Sequence, residues 1–194
     1  MRPNSAIAGV GGAALSLVLA TGLAAPASAA CLPKHVHSEG TFQAYAPGAT
    51  AVTYDQNLVP AGAKAQVNAT EHTFFEQKTT VVLTVQGLLP NRHYGAHVHT
   101  KSCGAGANDS GPHYQNVADP KQPSTDPAYA NSTNEVWLDF MTNENGDAYI
   151  ESTVGWVPRP DGANAVVLHD HHTSSDPGNA GVAGPRLGCV STDF

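Results

Sequence analysis

The sequence predicts an all-β fold, an eight-stranded Greek-key β-barrel or sandwich with two long functional loops. Short β-rich runs recur along the chain, with turn signals between them. The 19 glycines and 14 prolines recur too often for helical periodicity in the 194 residues. Two long segments rich in glycine, proline, asparagine and serine interrupt the strand pattern.

Residues 1–30 have the pattern of a secretory signal peptide. An early Arg2 is followed by an apolar stretch and a small-residue end, which predicts cleavage near Ala29 or Ala30. Pro26 interrupts the apolar stretch, and no later stretch is apolar enough to span a bilayer, so we expect no membrane span. The expected location is therefore extracellular or in the cell envelope. The predicted division is a signal peptide at 1–30, a short N-terminal segment at 31–40 and one β domain at 41–194.

The predicted strands follow one another between turn residues. Alternation in "KAQVNATE" and "AYIEST" indicates strands with one buried face. The Asn-Gly pair in "NENGD" predicts a hairpin between the two runs around it. The β-rich runs are at 41–45, 50–55, 64–71, 79–88, 94–100, 135–142, 146–155 and 164–170.

The two loop segments are residues 101–134 and 171–185. Each begins directly after a predicted strand that contains histidine. Compact domains rarely keep such long loops unless the loops have a function. We therefore expect both loops to contribute to a functional site.

The charge of the chain excludes nucleic acid as a partner. Without the leader, eight basic and 16 acidic residues remain, and the basic residues form no cluster. A phosphate backbone requires a basic surface, which this chain lacks. The unusual feature is instead the ten histidines, all of which follow residue 30.

Three cysteines remain after the leader, and an exported chain meets oxidising conditions in which disulfides form. Cys103 and Cys189 both lie within the body of the domain, so we predict that they pair. Cys31 lies at the new N-terminus. It is either a mobile free thiol or the lipid-bearing first residue of a lipoprotein, although the preceding "SAA" lacks the usual leucine.

Four histidines lie at strand ends and in loops where they can converge. In the strand "AHVHT", His97 and His99 point to one face and Val98 points to the core. His113 follows a Gly-Pro turn, and His169 ends an apolar run. Imidazole donors suit copper, zinc, nickel or iron, and four nitrogens in a near-planar set favour Cu(II). The alternative is that these are ordinary surface or core histidines.

Four motifs resemble the copper/zinc superoxide dismutases. "GAHVHT", "GPHYQN", "VVLHD" and "GNAGVAGPRLGCV" occur in the order seen in that family, and the similarity covers about residues 36–194. The resemblance implies a β-sandwich fold. It also implies that Cys103 and Cys189 form the disulfide and that the copper ligands are His97, His99, His113 and His169.

The resemblance further implies a function, the conversion of superoxide to O₂ and H₂O₂ in antioxidant defence. Arg186 would attract and orient the superoxide substrate, and His113 would carry a proton. An alternative is a copper-binding or copper-delivery protein with the same fold and little activity. A second is a structural β-domain. The sequence does not decide between a monomer and a homodimer.

The chain departs from the family where zinc ligands are expected. Residues 114–137 contain no histidine, and Asp119 and Asp126 are the only carboxylates before Glu135. We therefore expect copper without zinc, as in copper-only members of the family. Without zinc, another group must orient His113, such as a backbone or carboxylate hydrogen bond.

Two further groups of histidines leave alternatives open. Next to the last copper ligand, Asp170, His171 and His172 either hold a second metal or are solvated loop residues. Near the N-terminus, His35 and His37 in "KHVHSEG" either catch copper together with Cys31 or belong to a frayed polar segment.

Overall fold

The computed structural model describes residues 32–194 together with Met1, so the predicted signal peptide and Cys31 lie outside the described residues. The all-β prediction is confirmed: residues 32–194 form nine strands and no helix. No helix in this part of the chain is long and apolar enough to cross a membrane. The strands are β1 (Lys34–Thr41), β2 (Ala51–Thr53), β3 (Lys64–His72), β4 (Lys78–Gln86), β5 (His93–His99), β6 (Phe140–Met141), β7 (Ala148–Val154), β8 (Ala165–His169) and β9 (Arg186–Ser191).

The strands form two antiparallel sheets. One has the order β1-β3-β4-β7, and the other has the order β2-β9-β8-β5-β6. Strands β3 and β4 alternate between buried and more exposed residues, as their sequence pattern predicts. Their inward side chains, such as Val67 and Leu83, belong to the core together with Ala96 and Val98 of β5.

Residues 34–40 belong to strand β1 and do not form the frayed segment that the sequence suggested. Strand β1 pairs with β3 from Lys34↔Glu71 to Thr41↔Lys64. Val36 is buried in the core, and the Lys34 ammonium lies 3.4 Å from the carboxylate of Glu71. One apolar anchor and a complete ladder of backbone hydrogen bonds therefore hold this polar sequence in the sheet.

The predicted hairpin around the Asn-Gly pair is wrong. The turn itself forms, because Gly146 has a φ of 80° and its N–H donates to the Asn143 carbonyl at 3.1 Å. However, β6 pairs with β5 in one sheet, whereas β7 pairs with β4 in the other. The Leu88 N–H donates to the Gly146 carbonyl at 3.0 Å, so the turn packs on the β4–β5 connection and leads the chain between the sheets.

Strand β9 was not among the predicted strands. It pairs with both β8 and β2, although Gly188 interrupts its apolar pattern. A Cβ at Gly188 would lie 3.0 Å from the ring of Phe42, so a larger residue would require this ring to shift by a few tenths of an ångström. Close packing against Phe42 therefore accounts for Gly188, the residue that interrupts the apolar pattern by which β9 could have been predicted.

Two long loops cover the outer face of the five-stranded sheet. The first (100–139) joins β5 to β6, and the second (170–185) joins β8 to β9. Every residue of β5 after His93 is consequently buried, including those that face away from the core. A disulfide between Cys103 and Cys189, with a Cα–Cα distance of 5.7 Å, ties the first loop to β9.

Candidate metal centre

Four histidines converge beneath the two loops. Each offers one ring nitrogen, and these four nitrogens all lie within 4.8 Å of one another. His97 and His99 come from the outer face of β5, His169 is the last residue of β8, and His113 comes from the first loop. The structure thus brings together the four histidines that the sequence singled out.

The first loop reaches the site because it runs beside the end of β5. The Tyr114 N–H donates to the Val98 carbonyl at 2.8 Å, and the Thr100 N–H donates to the Pro112 carbonyl at 3.0 Å. His113 is therefore paired opposite His99 in a β-bridge. Backbone hydrogen bonds, not the side chains alone, place this third ring.

Backbone carbonyls fix the tautomers of two rings. The Nδ1 of His99 lies 2.9 Å from the Gly111 carbonyl, and the Nδ1 of His169 lies 3.2 Å from the Gly184 carbonyl. A carbonyl oxygen only accepts hydrogen bonds, so both Nδ1 atoms carry the proton and both Nε2 atoms are bare. These two Nε2 atoms lie 3.3 Å apart with no proton to share, an arrangement that a cation would stabilise.

A hydroxyl and a carboxylate fix the tautomer of His97. The Thr173 hydroxyl donates to Asp139 Oδ1 at 2.6 Å, so it accepts from the Nε2–H of His97, also at 2.6 Å. The remaining nitrogen, Nδ1 of His97, is buried and has no hydrogen-bond partner. A bare and buried imidazole nitrogen has a lone pair that can bind a metal ion.

The carboxylate of Glu135 fixes the fourth ring. The Nδ1 of His113 donates to Glu135 Oε2 at 2.9 Å. Gln115 Nε2 and Trp137 Nε1 each donate to the same carboxylate at 2.8 Å. This buried anion therefore holds the His113 proton on Nδ1 and leaves Nε2 bare, which identifies the orienting group that the sequence left open.

The two carboxylates that support these rings, Glu135 and Asp139, were not singled out from the sequence. They lie at alternate positions with Trp137 in the extended segment that leads into β6. Side chains two residues apart point to the same face of an extended chain. The pattern "EVWLD" in the β-rich run 135–142 was thus the available signal, because it predicts both carboxylates on one face.

Burial keeps the central imidazoles neutral. It lowers the pKa of His97 and His99 well below the ordinary histidine value, and the neighbouring His113 lowers both further. Burial also lowers the pKa of His169 to about 3. Neutral imidazole is the form that binds metals, so the site needs no loss of protons from these three rings at neutral pH.

The donor set fits a transition metal. Four bare imidazole nitrogens point to one position, and every remaining ring nitrogen is bound by a carbonyl, hydroxyl or carboxylate oxygen. Such second contacts orient metal-binding histidines in known sites. Calcium and magnesium prefer oxygen ligands, so this centre is suited to copper, zinc or a similar ion.

Arg186 lies at the entrance to the centre. It pairs with His169 in the register of β8 and β9. Its guanidinium donates to the Ala107 carbonyl at 3.2 Å and to Ser110 Oγ at 3.1 Å. An open cavity of about 560 Å³ is lined by Arg186, His113 and His169. Burial lowers the pKa of Arg186, but a guanidinium remains charged in proteins, so the cavity contains a fixed cation.

The other histidines lie outside this centre. His35 and His37 are in β1, in the opposite sheet, and each Nδ1 contacts a polar side chain of β3. The carboxylate of Asp170 pairs with Arg92, while His171 Nδ1 contacts the His172 carbonyl. Within the described part of the chain, the four central histidines form the single close group of three or more histidine, cysteine or carboxylate side chains.

No protein-family model and no curated protein sequence matches the chain. Solved structures do match it. An SOD-like protein from Bacillus subtilis, in a singly substituted form, is 13% identical with a TM-score of 0.52, covering 81% of this chain and 95% of that one. A doubly substituted form gives 13% and 0.51 with the same coverage. The clock protein EA4 is 20% identical with a TM-score of 0.52, covering 83% of this chain and 94% of that one. The chain therefore has an SOD-like fold with a four-histidine group that is compatible with a bound metal ion.

Proposed function

We propose that the protein is a copper-dependent superoxide dismutase that acts after export. The observation that carries this proposal is the arrangement of the rings, in which four imidazoles each direct one ring nitrogen to a common position. An open cavity with a fixed cation adjoins that position. Together these features support a redox-metal site that a small anion can reach.

Copper is the metal that this donor set favours. Among divalent first-row ions, copper binds nitrogen sites most tightly, and four imidazoles suit its tetragonal geometry. Copper bound by His97, His99, His113 and His169 would supply the one-electron chemistry of the overall reaction, in which two superoxide ions and two protons give O₂ and H₂O₂.

Arg186 is proposed to attract and orient the substrate anion. Its guanidinium is held by Ala107 and Ser110 at the edge of the cavity, so it does not need to reorganise when the anion arrives. The formal charge of the whole chain is −7, which opposes the approach of an anion. A local cation next to the metal position therefore has to provide the attraction at short range.

His113 is proposed to hold the proton that the product needs. Its Nδ1–H is fixed by Glu135, so only Nε2, on the side of the other three rings, can take up or release a proton. Because Glu135 also accepts from two other side chains, the ring keeps its orientation when Nε2 changes partner. In this proposal Glu135 takes the orienting part that zinc has in the copper/zinc enzymes, and the protein functions without zinc.

Activity of the copper-loaded protein tests the proposal. Pulse radiolysis should show rapid dismutation, and Arg186→Ala should lower the rate on the order of 10–100-fold, since a preorganised electrostatic donor is lost. Arg186→Lys should retain part of the rate, and Lys64→Ala, on the opposite sheet, should retain all of it. An inactive copper-loaded protein, or an unchanged rate in Arg186→Ala, would exclude the enzymatic function.

Metal analysis tests the proposal that the protein binds no zinc. After reconstitution with copper and zinc together, we expect copper at the central site and no tightly held zinc. One zinc ion per chain that survives dialysis against a chelator would contradict the copper-only assignment.

A copper-binding or copper-delivery protein is the second candidate. It is favoured by a further pair of exposed histidines, His93 and His172, whose rings lie in contact near the central site. For this function, copper-loaded protein would show little dismutation and would release copper readily to a competing chelator. The activity assay and a copper-exchange assay therefore separate the two candidates.

Export and processing are part of the proposed function. The disulfide between Cys103 and Cys189 is consistent with an extracellular protein. We propose cleavage after the leader at residues 1–30, with residues 41–194 as the catalytic domain, whose four-stranded sheet β1 completes by pairing with β3. Mass spectrometry of the exported protein would identify the first residue and any lipid on Cys31. Size-exclusion chromatography would determine whether it is a monomer or a homodimer.

A further inference from the structure

Two exposed histidines lie in contact on the surface near the metal centre. The Nδ1 of His93 is 3.0 Å from the Nε2 of His172. Their ring centroids are 4.4 Å apart with an interplanar angle of 89°. Both side chains are exposed, whereas the central histidines are mostly buried, so this pair is accessible from solvent.

A methionine lies on the same face as this pair. His93 is directly opposite Met141 in the register of β5 and β6, and directly opposed residues project to the same side of a sheet. The next pair, Tyr94 and Phe140, faces the core, and its rings stack at 5.2 Å. Met141 is 51% exposed although it is apolar. We refer to His93, Met141 and His172 as the surface triad.

The geometry of the two histidines suits a shared metal ion. Ligand nitrogens bound at about 2.0–2.1 Å in adjacent positions lie about 2.9–3.4 Å from each other, and the observed 3.0 Å falls within that range. The Nε2 of His172 also lies 3.0 Å from the Phe140 carbonyl, which only accepts, so Nε2 carries the proton here and this proton has to move to Nδ1 when Nε2 binds a metal. The two rings are therefore already placed for two-nitrogen coordination, which requires a change of tautomer at His172.

The donor types of the surface triad identify the metal. Imidazole binds copper and zinc alike, but a thioether is a soft donor that favours Cu(I). The nearby Arg92 would repel a cation, but it is paired with the Asp170 carboxylate, which offsets its charge. The usual zinc ligands in proteins are imidazole, thiolate and carboxylate, so the thioether of Met141 distinguishes this surface from a zinc site.

We propose that the surface triad is a second copper site, which binds Cu(I) in an exchangeable manner. It shares its elements with the metal centre, since His93 and His97 lie on the same face of β5. His172 directly precedes Thr173, which binds His97. A role of the surface triad in supplying copper to the metal centre would rest on the proposed function, whereas its ability to bind Cu(I) does not.

Anaerobic Cu(I) titration against a chromophoric chelator tests the proposal. Wild-type protein should bind one equivalent more than His93→Asn/His172→Asn. The matched control His35→Asn/His37→Asn, which alters the exposed histidine pair of β1, should bind as much as wild type. Met141→Leu should weaken Cu(I) binding at the surface triad by about tenfold or more, while Cu(II) binding stays unchanged.

A variant without the central site separates this proposal from the proposed function. His99→Ala/His169→Ala removes two central ligands, and it should still bind one Cu(I) that is lost when His93→Asn/His172→Asn is added. Far-ultraviolet circular dichroism verifies that each variant is folded. An equal number of bound Cu(I) ions in wild type and His93→Asn/His172→Asn would overturn the surface triad. So would an unchanged Cu(I) affinity in Met141→Leu.

Discussion

The carboxylate of Glu135 is surrounded by three side-chain donors, from His113, Gln115 and Trp137. A buried carboxylate is costly unless it is fully hydrogen-bonded, and here each oxygen has at least one donor. At the scale of single residues, the centre is therefore built as much by the groups behind the imidazoles as by the imidazoles themselves. Two substitutions isolate these supporting groups.

Replacing Glu135 by glutamine should lower the dismutation rate of copper-loaded protein by about tenfold or more, as losses of such supporting contacts commonly do. The amide keeps the shape but removes the charge that fixes the His113 Nδ1–H. Pulse radiolysis gives the rate, and the electron paramagnetic resonance spectrum shows whether copper remains bound. Glu151→Gln, at an exposed position of β7, is the control. A wild-type rate in Glu135→Gln would contradict the role assigned to this carboxylate.

Replacing Thr173 by valine should weaken copper binding by roughly 10–100-fold. Valine matches threonine in shape but leaves the His97 Nε2–H without its acceptor, so the ring loses its fixed tautomer. Competition with a chelator of known affinity measures the change. Thr153→Val, on the outer face of β7, should bind copper as wild type does. Equal affinities for the two variants would show that the hydroxyl does not position His97.

At the scale of elements, the site depends on two loops held over one sheet face. Strand β5 supplies two of the four histidines, β8 supplies one, and the first loop brings the fourth. The disulfide fixes that loop to β9, the strand that also carries Arg186. One covalent link thus connects the loop of His113 with the strand that supplies the cation.

Removal of the disulfide by Cys103→Ser/Cys189→Ser should lower the free energy of unfolding of the metal-free protein by about 4–5 kcal/mol. The two cysteines are 86 residues apart, so the cross-link restricts a long segment of the unfolded chain. Urea unfolding followed by circular dichroism measures the change. Wild-type protein under reducing conditions should lose the same amount. A loss below about 1 kcal/mol would mean that the cross-link contributes little.

The strands with one buried face were predicted from their alternation, whereas the fully buried β5 and β8 were predicted from apolar runs. Strands β3, β4 and β7 alternate, and their pattern was readable because one side meets the core and the other meets solvent. Strand β1 was missed because a single apolar residue, Val36, anchors it. The four histidines were predictable from strand direction and motif order. The contacts of Glu135 and Thr173 were not, because they join segments that are distant in sequence.

At the scale of the whole molecule, the buried histidines make stability depend on pH. Burial lowers the pKa of His97, His99 and His169, so these rings stay neutral in the folded protein but bind protons when the chain unfolds. The unfolded state therefore binds more protons below the ordinary histidine pKa of about 6.5. The contribution of these rings to the free energy of unfolding is therefore fully present above that pH and is lost as the pH falls.

We expect the free energy of unfolding of the metal-free protein to decrease as the pH falls from about 6.5 towards about 3, the pKa of folded His169. Urea unfolding at a series of pH values gives the slope. His169→Asn should have a shallower slope, because one group that takes up a proton on unfolding is gone. His35→Asn, at an exposed position, should keep the wild-type slope. Identical slopes for all three proteins would contradict the contribution of the buried rings.

The four imidazoles of the centre do not receive equal electron density. His113 and His97 are bound by carboxylates, directly from Glu135 and through Thr173 from Asp139, whereas His99 and His169 are bound by neutral carbonyls. A hydrogen bond to a carboxylate makes an imidazole a stronger donor, and stronger donors stabilise the more highly charged state of a metal. The centre would thus lower the reduction potential of a bound ion, and the positive charge of Arg186 would raise it again. The balance of these opposite charges determines whether one ion can both accept and return an electron.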